Sequence, residues 1–302
     1  MTLRQPDMPY TDWGRFTTAL YRHGRRFGVM NAELIGMHGF RAGDAIAESF
    51  NRKEAGPPQV RPSTGLACAQ QTYYITQGIE PEPMPDFLGT TFAIGHVHHE
   101  IAYAAVQSAL PEGFSCQFEK KVALPTWWPS DNPTFRTEGH IDLILKVDDW
   151  NLASLYLDDE ECDEIIVDFK TKAEFQYRQH KKAFIGFEPD AFGYLAQLAV
   201  YADATDTLSN GAILAGINRS ILSDYAPLAC RRVSADVLVK EISRVRAAID
   251  GALKDVPAGP EFIERWKDKA GFYCGTGKHK DKGMCPFKIR CKLDREAQTY
   301  AV

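Results

Sequence analysis

The sequence predicts an α/β protein: a mixed central β-sheet flanked by helices, with a helical N-terminal extension and a cysteine-rich C-terminal tail. Three observations predict it. The segments "SCQFEKKVAL", "FRTEGHIDLILKV" and "DEIIVDFKTK" alternate or run apolar over short lengths, as three successive strands do. Segments with helical spacing of apolar residues stand before and after them. A further short apolar run, "GAILAGINR", reads as a fourth strand between two of these helices. The order helix, three strands, helix, strand, helix implies an α/β core with a mixed sheet.

Residues 1–60 read as helical and mixed in polarity, and end in the Gly/Pro-rich break "EAGPPQVRPS", a linker or domain edge. In "STGLACAQQTYYITQG", Ser63 or Thr64 is placed to cap a short helix carrying Cys68. After a second break, "PEPMPD", the stretch "FLGTTFAIGHVHHEIAYAAVQSAL" has helical spacing and closes near Pro111. Beyond the three strands come the amphipathic "DAFGYLAQLAVYADAT", the fourth strand, and the long helix "SADVLVKEISRVRAAIDGALKD" with Glu241 and Arg244 on one side. The tail, 271–302, is rich in Gly, Lys and Cys and shows little periodicity. The division is therefore 1–60 extension, 61–270 core and 271–302 tail.

Composition narrows the function classes. In 302 residues, 44% are hydrophobic and 25% charged, ordinary values for a globular protein. Apolar runs fall far short of the ~20 residues that a membrane span needs, and the N-terminus has no signal core. A cytoplasmic location (host cytoplasm for a viral protein) is expected, with no membrane partner. Seven cysteines without a signal peptide point to thiol or metal chemistry rather than a disulfide framework. Net charge is −5, yet Lys170–Lys182 holds five Lys/Arg, and Lys267–Lys292 holds eight against Asp268 and Asp281. Local basic stretches of this kind suit phosphate contact; a solvated surface is the plainer alternative.

The most informative stretch is "EIIVDFKTK". Ile165, Ile166 and Val167 read as a buried strand, and Asp168 and Lys170, two apart, share a face at its end. Upstream, "EGHIDLIL" places Asp142 in a neighbouring strand, 26 residues before Asp168. Two carboxylates meeting at one sheet edge can bind a hard divalent cation through oxygen. A lysine beside them can steady phosphate charge or orient an attacking water. Against this stands a strand-end Asp168–Lys170 salt bridge worth about 0–1 kcal/mol.

In combination, these motifs resemble the PD-(D/E)XK nuclease superfamily, with Asp142 in the first acidic motif and Asp168-Phe169-Lys170 in the second. "AIGHVHHE" is similar to the helical Gly…His-Glu motif of its RecB-like branch, at Gly95, His99 and Glu100, and "YLAQLAVY" to its Gln-x-x-x-Tyr motif, at Gln197 and Tyr201. The resemblance covers roughly 60–295 and implies a restriction-endonuclease-like core. It also implies roles: His99, Asp142, Asp168 and the Phe169 backbone carbonyl hold Mg²⁺ or Mn²⁺. Lys170 activates or orients water; Gln197 and Tyr201 steady Lys170 or the DNA strand; Glu100 belongs to the catalytic set. An imidazole ligand tilts the site toward Mn²⁺. Since "HVHH" also offers His96 and His98, and His96 shares a helical face with His99, the histidine assignment has alternatives.

Four cysteines stand apart: Cys68, and Cys274, Cys285 and Cys291 in the tail. Three thiols in so polar a tail read as metal ligands that need a fourth, distant one. CRISPR-associated exonucleases and AddB-type nucleases of the same branch have one cysteine before the core and three after it, binding a 4Fe–4S cluster that staples the tail. Cys68 resembles that first cysteine. The family usually spaces its first two tail cysteines closely, whereas ten residues separate Cys274 from Cys285. Zinc held by the four thiolates, or by three with His279, therefore stays open. Cys116, Cys162 and Cys230 read as ordinary partly buried thiols.

The resemblance thus implies an Mg/Mn-dependent exonuclease acting on single-stranded DNA, related to CRISPR-associated exonucleases and their phage counterparts. Tyr73, Tyr74 and Tyr177 would stack on bases. No G-x-x-x-x-G-K-[ST] occurs, so unwinding would fall to a helicase, recombination or CRISPR-adaptation partner, and a homo-oligomer is compatible. A structure-specific endonuclease on the same core, or a DNA-binding scaffold subunit, are the alternatives.

Overall fold

The computed structural model describes residues 12–25, 31–51, 58–64, 66, 68–83, 87–158, 162–172, 193–218, 228–257 and 285–299. Helix α1 (Trp13–Gly24) is capped by Asp12, whose carboxylate accepts the Arg15 N–H at 2.9 Å. Its apolar residues recur at helical spacing: Trp13, Phe16, Leu20 and Tyr21 are all buried. Gly24 marks the crossing with a later helix, because a Cβ there would lie 1.7 Å from the Ala105 carbonyl oxygen. Next come α2 (Ala32–Asn51), α3 (Ala69–Thr76) and α4 (Phe87–Ala109). Strands β1 (Phe114–Ala123) and β2 (Glu138–Val147), the short α5 (Trp150–Ala153) and β3 (Glu164–Lys172) follow. The chain continues through α6 (Tyr194–Ala204), β4 (Ala212–Asn218), β5 (Leu228–Val233), α7 (Ala235–Leu253) and α8 (Lys288–Thr299).

The five strands form one mixed sheet in the order β1-β2-β3-β4-β5. β1–β2, β2–β3 and β4–β5 are antiparallel and β3–β4 is parallel. A parallel pair requires a crossover, and α6 lies on it. Being central, β3 and β4 are continuous in apolar residues, and all of β4 is buried. Helices cover both faces. One core layer joins Trp13, Phe16 and Leu20 of α1 and Tyr103 and Val106 of α4 to Leu143, Leu145, Ile165, Val167 and Phe169. The other joins Tyr74 of α3, Leu198 of α6, Leu238 and Ile242 of α7 and Phe287 to Ile144, Ile166, Leu214 and Val233. Each such fully buried aliphatic contributes about 1.5–3 kcal/mol. No helix among the described residues is long and apolar enough to cross a membrane.

The mixed α/β sheet flanked by helices is the class the sequence predicts. Three details differ. β5 is an additional strand: "LACRRV" carries two arginines, which an edge strand paired only with β4 tolerates. The tail contains helix α8, held by tertiary contacts rather than by apolar periodicity. Phe287 packs on Tyr74 at 5.5 Å, and the Tyr74 hydroxyl donates to Asp294 at 2.6 Å. Finally, Cys68 is itself the N-cap of α3, with φ −151°, and lies before the helix rather than inside it; Thr64 is instead bridged to Arg61.

Candidate metal centre

The β2–β3 ladder runs from Lys146↔Glu164 to Leu143↔Val167 and stops. The next rung would set Asp142 against Asp168. There the strands part, and the Phe169 N–H donates to Asp142 Oδ2 at 2.7 Å instead of to a ladder carbonyl. The two acids therefore meet inside the sheet, where a ladder opens, and not at its outer edge as the sequence suggested. Beyond that point β3 continues paired with β4 alone through Lys172.

Lys170 shares the face of Asp168, as strand periodicity requires, and its ammonium donates to Asp168 Oδ1 at 2.8 Å and to Gln197 Oε1 at 3.0 Å. It also lies over the Tyr194 ring, 5.1 Å from its centroid. One helical turn after Gln197, the Tyr201 phenol is hydrogen-bonded to Gln197 and to the backbone of His140. Tyr201–Gln197–Lys170–Asp168 is thus a continuous polar chain, its members mostly buried. Gly139 belongs to it by absence: a Cβ there would lie 2.4 Å from Tyr201 Cε1, so only glycine lets the ring reach the strand. Gly95 plays a milder version of that part, since its Cβ would meet Thr171 Oγ1 at 3.3 Å where α4 passes the end of β3.

From α4, His99 brings Nδ1 to 3.8 Å from Asp142 Oδ2. β1 adds Glu119, which the motif reading did not single out. Its neighbours pair as Phe118↔Leu143 and Lys120↔Ile141, so Glu119 falls opposite Asp142. Its φ of +49° is left-handed, uncommon for a residue with a side chain. Its carboxylate accepts the Tyr103 hydroxyl at 2.6 Å. One donor atom each from His99, Glu119 and Asp142 lie within 4.8 Å of one another.

Electrostatics follow from burial. Asp142 and Asp168 are each pushed up to about 6, chiefly by desolvation, against the lowering pull of Lys170. His99 is pushed down to about 4 by desolvation and then by Lys170, so at neutral pH it carries a free ring lone pair. Asp168 is 3% exposed, and its Oδ2 is buried with no hydrogen-bond partner. An ionised oxygen left so would cost about 1–3 kcal/mol or more. A cation is the partner that removes this cost, and an imidazole with several carboxylates suits Mn²⁺ or Mg²⁺. The residues present fit the group.

The remaining sequence candidates fall elsewhere. Glu100, 8% exposed, turns to α2: its carboxylate meets His38 Nδ1 at 2.6 Å and Arg41 Nε at 3.4 Å. His96 is exposed but close enough to lower His99 further, while His98 is buried. Phe169 itself is buried, its ring 6.1 Å from His99. Tyr74, at 1% exposure, is a core residue and offers no stacking face, a correction to the sequence reading; Tyr73 bonds Asp255 at 3.2 Å. Tyr177, Cys274 and His279 lie outside the described residues. Burial raises the Cys68 thiol, the backbone N–H groups of Gln71 and Gln70 that bond its sulfur lower it, and nearby Cys291 raises it further. Cys285 and Cys291 both pack on the layer that holds Tyr74 and Phe287. None of the described cysteines is in a disulfide, and burial pushes Cys116 up to about 11 and Cys230 up to about 12.

Comparison of the chain with known protein families and with curated proteins gives no match.

Proposed function

We propose that the protein is a metal-dependent deoxyribonuclease with a RecB-like PD-(D/E)XK core, acting as an exonuclease on single-stranded DNA. The observation that carries this reading is the placement of the Lys170 ammonium between Asp168 and Gln197, beside a buried carboxylate oxygen that has no partner. His99, Asp142, Asp168 and the Phe169 carbonyl would hold Mg²⁺ or Mn²⁺. When bound, the cation supplies positive charge to the scissile phosphate and lowers the pKa of water.

The chain's own residues do the rest. Gln197, fixed by Tyr201, holds Lys170 beside Asp168. Lys170 then stands where a phosphate oxygen or an attacking water needs an oriented donor. The rings of Phe169 and Tyr103 beside His99, with Phe118 packed behind on Tyr103, help desolvate its imidazole and keep it neutral. Cys68, Cys274, Cys285 and Cys291 would bind a 4Fe–4S cluster fastening the tail to α3, with zinc as the alternative metal.

The test uses anaerobically purified protein and single-stranded DNA labelled separately at its 5′ and 3′ ends, with Mn²⁺, Mg²⁺ or EDTA. Wild type should release label only with metal. Lys170→Ala should lower the rate about 10²–10⁴-fold, the usual contribution of a positioned proton-transfer group. DNA that is bound but left intact by wild type would defeat the catalytic reading.

A further inference from the structure

We infer that Glu119, on β1, is a ligand of the same cation as His99 and Asp142. This rests on the reading of the cluster as a metal centre, and names a member that no motif supplies.

Three independent observations converge on Glu119. Its carboxylate belongs to the group of donor atoms within 4.8 Å of one another, whereas Asp168 does not. Its backbone is held at φ +49°, a conformation that usually costs a non-glycine residue about 1–3 kcal/mol and that gathers at functional sites. And one of its oxygens is oriented by the Tyr103 hydroxyl at 2.6 Å, as carboxylate ligands commonly are by groups behind them. A buried, unpartnered oxygen on Asp168, which interacts electrostatically with Asp142 and His99, shows separately that this space wants a cation.

A merely structural Glu119 is the competing account: an acceptor for Tyr103 and nothing more. Glutamine tests it, because the amide oxygen still accepts that hydroxyl. Glycine tests it from the other side, since it relieves the positive φ while deleting the carboxylate.

Mn²⁺ binding to the full-length protein, read by calorimetry and by the loss of the free-ion paramagnetic resonance signal, decides the matter without reference to DNA. Glu119→Gln and Glu119→Gly should each weaken Mn²⁺ at least tenfold. Their metal-free melting temperatures should be unchanged for the first and equal or higher for the second. Tyr103→Phe should weaken Mn²⁺ by a smaller factor. If both Glu119 variants bind Mn²⁺ as wild type does while Asp142→Asn does not, Glu119 is no ligand although the metal centre stands. Failure of wild type itself to bind would overturn both. Mn²⁺ binding that needs Glu119, in a protein that leaves DNA intact, would uphold the ligand and defeat only the nuclease reading.

Discussion

Glu119 and Asp142 face one another across β1 and β2 at the rung where both strands exchange one helical layer for the other. Before it, Phe114, Cys116 and Phe118 of β1, and beyond it Leu143, Leu145 and Val147 of β2, lie with α1 and α4. On the other side, Val122 and Leu124, with Ile141, lie with α3, α6 and α7. Residues of one parity share one face of a regular strand, so each strand makes a half-turn at this rung. The positive φ of Glu119 is where β1 takes it up. The carboxylate pair thus sits at the seam between the layers, where α4 can bring His99 from one side and α6 can bring Gln197 from the other.

The seam also explains Gly139 and gives a first prediction. Past the half-turn, Gly139 faces Tyr201, and a methyl group there would sit 2.4 Å from the ring. Gly139→Ala should destabilise the fold by about 1–3 kcal/mol, the usual cost of overpacking, measured by denaturant unfolding. It should also slow cleavage by displacing Tyr201 and, through Gln197, Lys170. In the double variant Gly139→Ala/Tyr201→Leu the two stability losses should be less than additive, because the smaller side chain removes the clash.

A second prediction concerns pH and metal together. Asp142 and Asp168 each sit at about 6 in the fold, above their ordinary 3.8. Between those values the folded state binds more protons than the unfolded one, so metal-free stability from these groups falls as pH rises from 3.8 to 6, and is flat above. His99, lowered from 6.5 to about 4, works the other way: between those values the unfolded state holds its proton and the folded state does not, so its contribution to stability rises with pH. Mn²⁺ reverses the penalty by binding the ionised form. The rise in melting temperature on adding Mn²⁺ should be larger at pH 7.5 than at pH 5. Mn²⁺ affinity should drop about tenfold per pH unit below 6 for each carboxylate that must shed a proton. A pH-independent Mn²⁺ shift would remove these carboxylates from the ligand set.

The core of this arrangement was legible in the sequence because β3 is apolar and central: "EIIVDFKTK" fixes both the strand and the shared face of Asp168 and Lys170. Helical spacing likewise placed Gln197 and Tyr201 together. Glu119 was not legible. In "FEKKV" one acid beside two lysines reads as a solvated face, and Glu119 is exposed; its positive φ, the bond from Tyr103 and its closeness to His99 and Asp142 are what set it apart. The layer exchange was hidden too, since alternation in sequence continues unbroken while the strand rotates beneath it. Helix α8 was missed because Phe287 and Tyr74 hold it from outside, which no local pattern reports.

Glu100 supplies the third prediction. It follows His99 directly, yet neighbours on a helix point about 100° apart. His99 reaches Asp142 and Glu119 while Glu100 reaches His38 and Arg41 on α2. His38 in turn bonds Gln107 at 3.3 Å, so the pair fastens α2 along α4. Glu100→Gln should cost about 1–3 kcal/mol of stability, the range for disturbing a buried charged hydrogen bond. Mn²⁺ affinity should stay within about twofold of wild type, in contrast with the tenfold or greater loss expected when a ligand or its hydrogen-bonded support is removed. Calorimetric loss of Mn²⁺ binding in this variant would move Glu100 into the metal centre.

The fourth prediction separates the cluster from the helix it would fasten. Helix α8 has attachments of its own: Phe287 against Tyr74, the Tyr74 hydroxyl on Asp294, and the Glu82 N–H donating to the Pro286 carbonyl at 2.7 Å. Lys288 adds an ion pair with Glu82 at 3.8 Å. Loss of one thiolate should therefore empty the metal site without unfolding the α/β core. Anaerobic wild type should be yellow-brown, absorb near about 400 nm as thiolate-bound iron–sulfur centres do, and contain iron. Cys68→Ser and Cys291→Ser should each lose that absorbance and iron, and melt at a lower temperature. Tyr74→Phe, which removes the hydroxyl's bonds to Asp294 and Gln70 but no thiol, should melt lower yet keep its colour. A colourless wild type containing zinc would replace the cluster by a zinc staple. Cysteine variants with unchanged metal content would exclude these thiols as ligands and leave α8 held by its packing alone.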